Sequence, residues 1–321
     1  MELLDRFKAG DRRALAKLIT LVENSVDETN EIMSQIYPLI GNAYILGITG
    51  PPGAGKSTLA DNLLSFWRKE EHKIGAVLID PSSPFTGGAL LGDRIRMQRH
   101  AIDEGVYIRS LGSRGSHGGL SRATRQVVQL LDAFGFDIII IETVGVGQTE
   151  LDIMELADTT IVILGPESGD TVQTMKAGLM EIADIFVVNK ADREGASRMV
   201  TEITSMLELK ENAKGQWKPP VLSCQANKGV GIEEITKAVQ EHREHLEKNN
   251  LREEHRRVIR RGELTEIILE RVRSQITKSA NDGELKRFFE DVEKNRENPY
   301  SAAKKIVNSN IIGNVLKRNE G

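Results

Sequence analysis

The chain has 321 residues, which is long enough to bury a sizeable core in one large domain or in a main domain with appendages. A net charge of −4 supplies no basic surface for nucleic acid or for an anionic membrane, and the longest apolar runs are too short to span a bilayer, so neither partner is expected. Because the N-terminus does not resemble a secretory leader and the single cysteine, Cys224, cannot form an internal disulfide, we expect a cytoplasmic protein.

The first 245 residues show two kinds of hydrophobic pattern. Residues 1–40 predict an N-terminal helical segment, because apolar side chains recur there at helical spacing. From residue 41 to residue 245, short apolar runs alternate with helix-like segments. This alternation predicts an α/β fold with three layers, in which a mostly parallel central sheet is covered by helices on both faces. The runs are Tyr44–Thr49, Gly75–Asp80, Val106–Ser110, Asp137–Glu142, Thr159–Leu164, Ile185–Asn189 and Pro220–Ser223.

The last part of the chain carries charge-rich helical patterns and no further strand pattern. Residues Gly262–Ile276 are an example, with Leu264, Ile267 and Ile268 at helical spacing. Residues 246–321 are therefore predicted to form a C-terminal helical segment.

A glycine-rich segment after the first apolar run predicts phosphate binding. Gly50-Pro-Pro-Gly-Ala-Gly-Lys-Ser matches G-x-x-x-x-G-K-[ST] and opens an amphipathic helix, so residues 41–245 are predicted to be a P-loop NTPase domain. Glycine is needed because backbone N–H groups must fold around the β-phosphate, and the helix adds the positive end of its dipole. Lys56 would bridge the β- and γ-phosphates, and the Ser57 hydroxyl would bind Mg²⁺. The predicted phosphate-binding residues are Gly50, Pro51, Pro52, Gly53, Ala54, Gly55, Lys56, Ser57 and Thr58.

A second motif predicts the choice of base. Asn189-Lys190-Ala-Asp192 follows a later apolar run and matches Asn-Lys-x-Asp. A carboxylate at Asp192 accepts hydrogen bonds from guanine N1–H and from the exocyclic amino group, and a site of this kind rejects an analogue without those donors by about 10⁴-fold. Asn189 suits the purine edge, and the stem of Lys190 can lie against the ring. Backbone N–H groups of the next strand end, at Ser223, Cys224 and Gln225, are placed to reach guanine O6. The predicted ligands are GTP and GDP.

Acidic residues near strand ends are the candidate ligands of Mg²⁺, which prefers oxygen donors. Asp80 ends an apolar run, Asp93 follows in a glycine-containing segment, and Glu142 begins Glu-Thr-Val-Gly-Val-Gly-Gln. That last segment resembles the Asp-x-x-Gly switch of GTPases, with Gly145 as the sensor of the γ-phosphate. The predicted metal ligands are Ser57, Asp80, Asp93 and Glu142, although Asp80 could cap a turn and Asp93 could cap a helix.

The segment after Gly145 predicts slow chemistry. Val146 stands where Ras-like proteins place a water-orienting glutamine, and Gln148 lies two residues later. We therefore expect intrinsic hydrolysis at about 10⁻⁴ to 10⁻² s⁻¹, accelerated by a partner or by self-association.

A further segment, Gly165–Lys176, contains helix- and strand-breaking residues. It is either an ordinary surface loop or a loop that responds to the bound nucleotide or to a partner. The predicted catalytic residues are Lys56, Glu142, Gly145, Gln148 and Lys176.

Several of these motifs together resemble the MeaB/ArgK family of methylmalonyl-CoA-mutase-associated GTPases, in the SIMIBI class of P-loop proteins. The resemblance covers residues 40–235 and weakens after Leu246. The motifs are Gly50-Pro-Pro-Gly-Ala-Gly-Lys-Ser, Asp80-Pro-Ser-Ser-Pro, Gly87-Gly-Ala-Leu-Leu-Gly-Asp-Arg-Ile-Arg-Met, Glu142-Thr-Val-Gly-Val-Gly-Gln and Gly178-Leu-Met-Glu-Ile-Ala-Asp.

The resemblance implies a G domain, a C-terminal helical dimerisation arm and a homodimer. It also implies a chaperone role toward an adenosylcobalamin-dependent acyl-CoA mutase, in which GTP binding and hydrolysis gate cofactor loading and protect the mutase. By the same resemblance, Gly165–Lys176 is an additional switch that responds to the mutase. The phosphate and metal set that it implies is Lys56, Ser57, Asp80, Asp93 and Glu142.

Two other functions stay open at this point. A related SIMIBI GTPase that delivers nickel would need Cys and His ligands near the switches, and Cys224 with six scattered histidines forms no convincing cluster in the sequence. A P-loop kinase acting on a small molecule would need an acceptor pocket and usually lacks Asn-Lys-x-Asp.

Overall fold

The computed structural model describes residues 2–24, 26–80, 97–100, 102–112, 122–143, 153–167, 178–209, 216–283 and 285–308. The chain divides into two compact units, Met1–Arg252 and Glu253–Gly321. The first unit contains a seven-stranded sheet whose described pairings are all parallel. The predicted α/β fold is therefore confirmed.

The strands lie within two residues of the predicted apolar runs. Their order in the sheet is β3-β2-β4-β1-β5-β6-β7, so β1 lies at the centre. Parallel strands bring their carboxyl ends to one edge of a sheet, which is where open α/β folds bind ligands. The phosphate loop, Glu142 and Asn189 all lie at that edge, because they end or follow β1, β4 and β6. The strands are β1 (Tyr44–Thr49), β2 (Ile74–Asp80), β3 (Val106–Gly112), β4 (Ile138–Glu142), β5 (Thr159–Leu164), β6 (Ile185–Val188) and β7 (Val221–Ser223).

Alternating side chains of the sheet enter two hydrophobic cores, one on each face. In the fully buried strand β4, Ile139 and Ile141 belong to one core, whereas Ile138 and Ile140 belong to the other. Helices α2, α5 and α7 contribute to the first core, and α4 and α8 contribute to the second. The helices are α1 (Glu2–Lys8), α2 (Arg12–Asn24), α3 (Val26–Ile36), α4 (Lys56–Lys69), α5 (Arg122–Phe134), α6 (Met180–Ile182), α7 (Ala196–Leu209), α8 (Ile232–Lys248), α9 (Leu251–Asp282), α10 (Lys286–Glu293) and α11 (Pro299–Asn308).

The N-terminal helices share the core of the sheet. Leu15 and Leu18 of α2 are buried in the same cluster as the α5 side chains. A buried carboxylate holds the segment just before β1. Asp132 of α5 accepts hydrogen bonds from the backbone N–H groups of residues 41, 42 and 43 at 2.6, 3.1 and 2.9 Å. Three backbone donors of an irregular segment are thereby satisfied, which sets where β1 begins.

The opposite edge of the sheet contains a buried polar network around His242 of α8. Its Nδ1 lies 2.6 Å from Thr159 Oγ1, and the Tyr44 hydroxyl hydrogen-bonds the same threonine. Its Nε2 lies 3.5 Å from Asp184 Oδ1, and its ring packs on Trp217 with centroids 4.8 Å apart. Because only 3% of the imidazole is exposed, burial lowers the pKa of His242 to about 4.

The described residues of the second unit are mostly helical. Along α9, several large apolar side chains are exposed, which is unusual for a surface that remains in water. No described helix in the chain has the length and apolar character to cross a membrane. The exposed apolar residues of α9 in this unit are Val258, Leu264, Ile267, Ile268 and Leu269.

Candidate nucleotide site

The phosphate loop connects the end of β1 to the start of α4, as predicted. Two of its glycines are required by close contacts as well as by their backbone angles. Gly50 has φ +142, and a Cβ there would lie 2.0 Å from the Ile163 carbonyl oxygen. Gly55 has φ +100, and its Cβ would lie 2.2 Å from Asn189 Nδ2. Since L residues rarely adopt such angles, both positions need glycine before any phosphate is considered.

Lys56 is held against this loop by the loop's own carbonyl groups. Its Nζ donates to the carbonyl oxygens of Gly50 at 2.9 Å and Pro51 at 3.2 Å. The residue is buried, with 7% of its surface exposed. A buried ammonium needs such acceptors, and their position keeps the cation next to the turn that would enclose the phosphates.

Ser57 and Glu142 meet directly beside the loop. The Ser57 hydroxyl donates to Glu142 Oε1 at 2.6 Å, and both residues are buried. Next to them, Thr143 Oγ1 donates to Thr49 Oγ1 at 2.9 Å and ties the ends of β4 and β1 together. A hydroxyl and a carboxylate are oxygen donors of the kind that Mg²⁺ prefers, so this pair fits the predicted metal.

Asn189 connects the phosphate loop to the segment after β7. Its Nδ2 donates to the Ala54 carbonyl at 2.8 Å, and its Oδ1 accepts from the Ala226 N–H at 3.0 Å and from the Cys224 thiol at 3.3 Å. The residue is 4% exposed. In this arrangement both ends of the amide are used within the protein, so Asn189 braces the two loops on which phosphate and base recognition would depend.

The charged residues of the base motif form ion pairs on the surface. Lys190 adopts φ +58 and donates to Glu167 at 2.9 Å. Glu167 also pairs with Arg193. Asp192 Oδ2 lies 3.4 Å from Lys228 Nζ, and both side chains are at least two-fifths exposed. Exposed pairs of this type are weak, so the pairing of Asp192 with Lys228 costs little to break.

The strand end at Ser223, Cys224 and Gln225 lies beside Asn189. The Cys224 N–H donates to the Val188 carbonyl, and the Gln225 N–H donates to the Val230 carbonyl. Both amides therefore already have acceptors, and a contact with guanine O6 would compete with them; that contact stays a prediction. The Cys224 side chain is 1% exposed, and burial raises the pKa of its thiol to about 12. The thiol therefore stays protonated and donates to Asn189.

Some predicted site residues cannot be placed. Asp93, Gly145, Gln148 and Lys176 lie outside the described residues, and for Asp80 only the backbone is described, as the last residue of β2. Their roles stay predictions. Within the described ranges, no three His, Cys, Asp or Glu side chains lie together as a metal site would require.

Some residues that the sequence analysis did not select lie beside this site. Thr49, Thr143, Asn62, Glu167 and Lys228 each contact a predicted site residue or its neighbour. The threonines could have been found, because each lies next to a motif at a strand end. Glu167 lies in the segment Gly165–Lys176, which the sequence analysis singled out only as a whole. Asn62 and Lys228 are ordinary surface-type residues with no signal in the sequence.

This chain is similar over most of its length to known GTPases. The family model described as methylmalonyl-CoA-mutase-associated GTPase MeaB matches residues 15–281. A candidate GTPase of Pyrococcus abyssi is 51% identical to this chain, and the alignment covers 99% of each. The GTPase ArgK of Escherichia coli is 38% identical over 74% of each chain. The crystal structure of a protein called LAO/AO transport system kinase matches with a TM-score of 0.71 and 27% identity over 95% of each chain.

Proposed function

Because the chain belongs to the MeaB family of methylmalonyl-CoA-mutase-associated GTPases, we propose that it uses GTP binding and hydrolysis to regulate an adenosylcobalamin-dependent acyl-CoA mutase. The chain is a GTPase, as its relatives in the family are named. Beyond GTPase activity, we propose a mutase partner, specific roles for the site residues and a homodimer.

The observation that carries the nucleotide part is the bracing by Asn189. Its amide joins Ala54 of the phosphate loop to Ala226, so the phosphate-binding and base-binding segments are parts of one rigid site. Asp192 lies three residues after this brace and reads the guanine edge. In a site preorganised in this way, less binding energy is lost in ordering the loops.

Recognition of the guanine base by Asp192 is tested by replacing its carboxylate with an amide. Xanthine has a carbonyl oxygen where guanine has its exocyclic amino group, so an amide donor suits it and a carboxylate does not. We expect Asp192→Asn to lose affinity for GDP by about 100-fold or more and to gain affinity for XDP. Calorimetry with both nucleotides measures this. Unaltered selectivity in the variant would mean that another residue selects the base.

The triphosphate and its metal are bound by Lys56, Ser57 and Glu142. Lys56 offers its ammonium to the β- and γ-phosphates, and the Ser57 hydroxyl and the Glu142 carboxylate hold Mg²⁺ directly or through water. When bound, the metal neutralises phosphate charge. Glu142 also positions the Ser57 hydroxyl through their 2.6 Å hydrogen bond. Asp80 and Asp93 are proposed to complete the metal set, and Gly145, Gln148 and Lys176 to respond to the γ-phosphate.

The mutase partner is supported by the family match and by the motifs shared with that family. A pull-down from the native cell with a non-hydrolysable GTP analogue tests it. We expect a cobalamin-dependent mutase in the GTP-analogue sample and less of it with GDP. Recovery of a nickel enzyme in its place would contradict the proposal.

A homodimer is supported by the exposed apolar side chains of α9. Leu264 and Ile268 are both more than half exposed and lie one helical turn apart. A second copy of the chain would remove them from water. Analytical ultracentrifugation measures the mass in solution, and a monomer at micromolar concentration would contradict this part.

A further inference from the structure

The turn after β7 is held through both backbone polar groups of one residue, Ala226. The 3₁₀ turn Ala226–Lys228 follows the predicted base-facing strand end. The Ala226 N–H donates to Asn189 Oδ1 at 3.0 Å, and the Ala226 carbonyl accepts from Asn62 Nδ2 at 2.8 Å. Ala226 is 2% exposed, so both of these polar groups need partners inside the protein, and the carbonyl accepts a second hydrogen bond from the Gly229 N–H at 3.3 Å within the turn.

Asn62 makes this contact from the helix that begins at the phosphate loop. The same Nδ2 donates to the Thr58 carbonyl, one turn earlier in α4, at 2.7 Å. An amide nitrogen has two hydrogens, so it can serve both carbonyls at once. The bond to Thr58 fixes the side chain's direction, and the bond to Ala226 then fixes the turn relative to α4.

The contacts form a closed circuit around the nucleotide site. Ala54 of the phosphate loop is joined to Asn189, Asn189 to Ala226, Ala226 to Asn62, and Asn62 to the start of α4. At the far end of the same turn, Lys228 reaches Asp192. A shift of the turn would therefore move the acceptor side of Asn189 and the partner of Asp192 together.

We propose that Asn62 is a positioning residue for guanine recognition, which it serves by holding the Ala226–Lys228 turn in place beside Asn189 and Asp192. This inference rests on the proposed guanine site. Asn62 touches neither the base nor the phosphates in this role, so its effect falls on selectivity between bases and not on the chemistry of hydrolysis.

The test compares GDP with ADP, because ADP uses the same phosphate groups without a guanine edge. We expect Asn62→Ala to weaken GDP binding by about tenfold, the usual effect of losing one buried hydrogen bond. ADP binding stays unchanged, so the ratio between the two affinities falls by the same factor. GTP hydrolysis at saturating GTP keeps its kcat, while KM rises.

Two further variants separate positioning from general destabilisation. Asn62→Ser keeps a hydroxyl that can bond the Thr58 carbonyl but is too short for Ala226, so we expect it to weaken GDP binding as the alanine does. Asn249 makes a similar bond to a carbonyl four residues earlier, at the end of α8, so Asn249→Ala is the matched control and should leave GDP affinity unchanged.

The possible results separate the positioning role of Asn62 from the proposed guanine site on which that role rests. If the unaltered chain prefers GDP to ADP but both Asn62 variants keep that preference, the inference is wrong and the proposed function stands. If the variants lose GDP and ADP affinity equally, Asn62 supports only the fold and the inference is wrong. If the unaltered chain binds ADP as tightly as GDP, the proposed guanine site fails and the inference fails with it.

Discussion

Replacement of Gly55 by alanine is the perturbation for which the structure gives the clearest magnitude. The backbone there has φ +100, and the new Cβ would lie 2.2 Å from Asn189 Nδ2. The backbone angle costs an L residue about 1–2 kcal/mol. The contact forces the Asn189 amide away from the Ala54 carbonyl, and an unpaired buried polar group costs about 1–3 kcal/mol. We therefore expect Gly55→Ala to lower the free energy of unfolding by about 2–5 kcal/mol.

Gly53 provides the matched control within the same loop. It has φ +76, but a Cβ there would meet nothing within 4 Å. Gly53→Ala should therefore cost only the backbone contribution, about 1–2 kcal/mol. Urea unfolding without nucleotide measures both variants. Tryptophan fluorescence reports the first unit, because Trp67 and Trp217 are the chain's two tryptophans and both lie within it.

A double-mutant cycle identifies the source of the difference. In an Asn189→Ala background the clashing amide is absent, so Gly55→Ala should cost only the backbone contribution. The coupling between the two positions should then be about 1–3 kcal/mol. An equal cost of Gly55→Ala in both backgrounds would refute the argument, because the contact with Asn189 would then contribute nothing.

Two more predictions concern the buried histidine and the metal. Burial lowers the pKa of His242 from 6.5 to about 4, so this residue contributes stability that is lost as pH falls from about 6.5 to 4, whereas its neighbour Asp184, whose pKa burial raises to about 7, contributes in the opposite direction. The His242 contribution approaches about 3 kcal/mol, and it is measured as the difference in urea unfolding between the unaltered chain and His242→Gln across this pH range. The control is His72→Gln, whose histidine is only partly buried, and it should keep the pH dependence of the unaltered chain. Ser57→Ala should lower Mg²⁺ affinity in the GDP complex by about 10- to 100-fold, because a ligand and its bond to Glu142 are both lost. Calorimetry with and without EDTA measures the Mg²⁺ affinity, and Ser65→Ala on the same helix is the control. Equal Mg²⁺ affinity in the two variants would exclude Ser57 as a ligand.

The sequence by itself determined the element order, the parallel sheet and the two nucleotide motifs. The reason is that these features are local. A fully buried parallel strand must be a short apolar run such as Ile138–Ile141, and a phosphate loop must carry glycines and a lysine at set positions between a strand and a helix.

Only the tertiary structure decided which partners the motif residues have. The pattern Asn-Lys-x-Asp suggests that Asn189 faces the base, whereas its amide is bonded to Ala54, Cys224 and Ala226. Gly55 needs to be glycine partly because this amide lies beside it. Asn62 lies 164 positions from its partner Ala226. Contacts between residues so far apart in the sequence depend on how strands and helices pack. The residues adjacent to a side chain in the sequence therefore do not predict them.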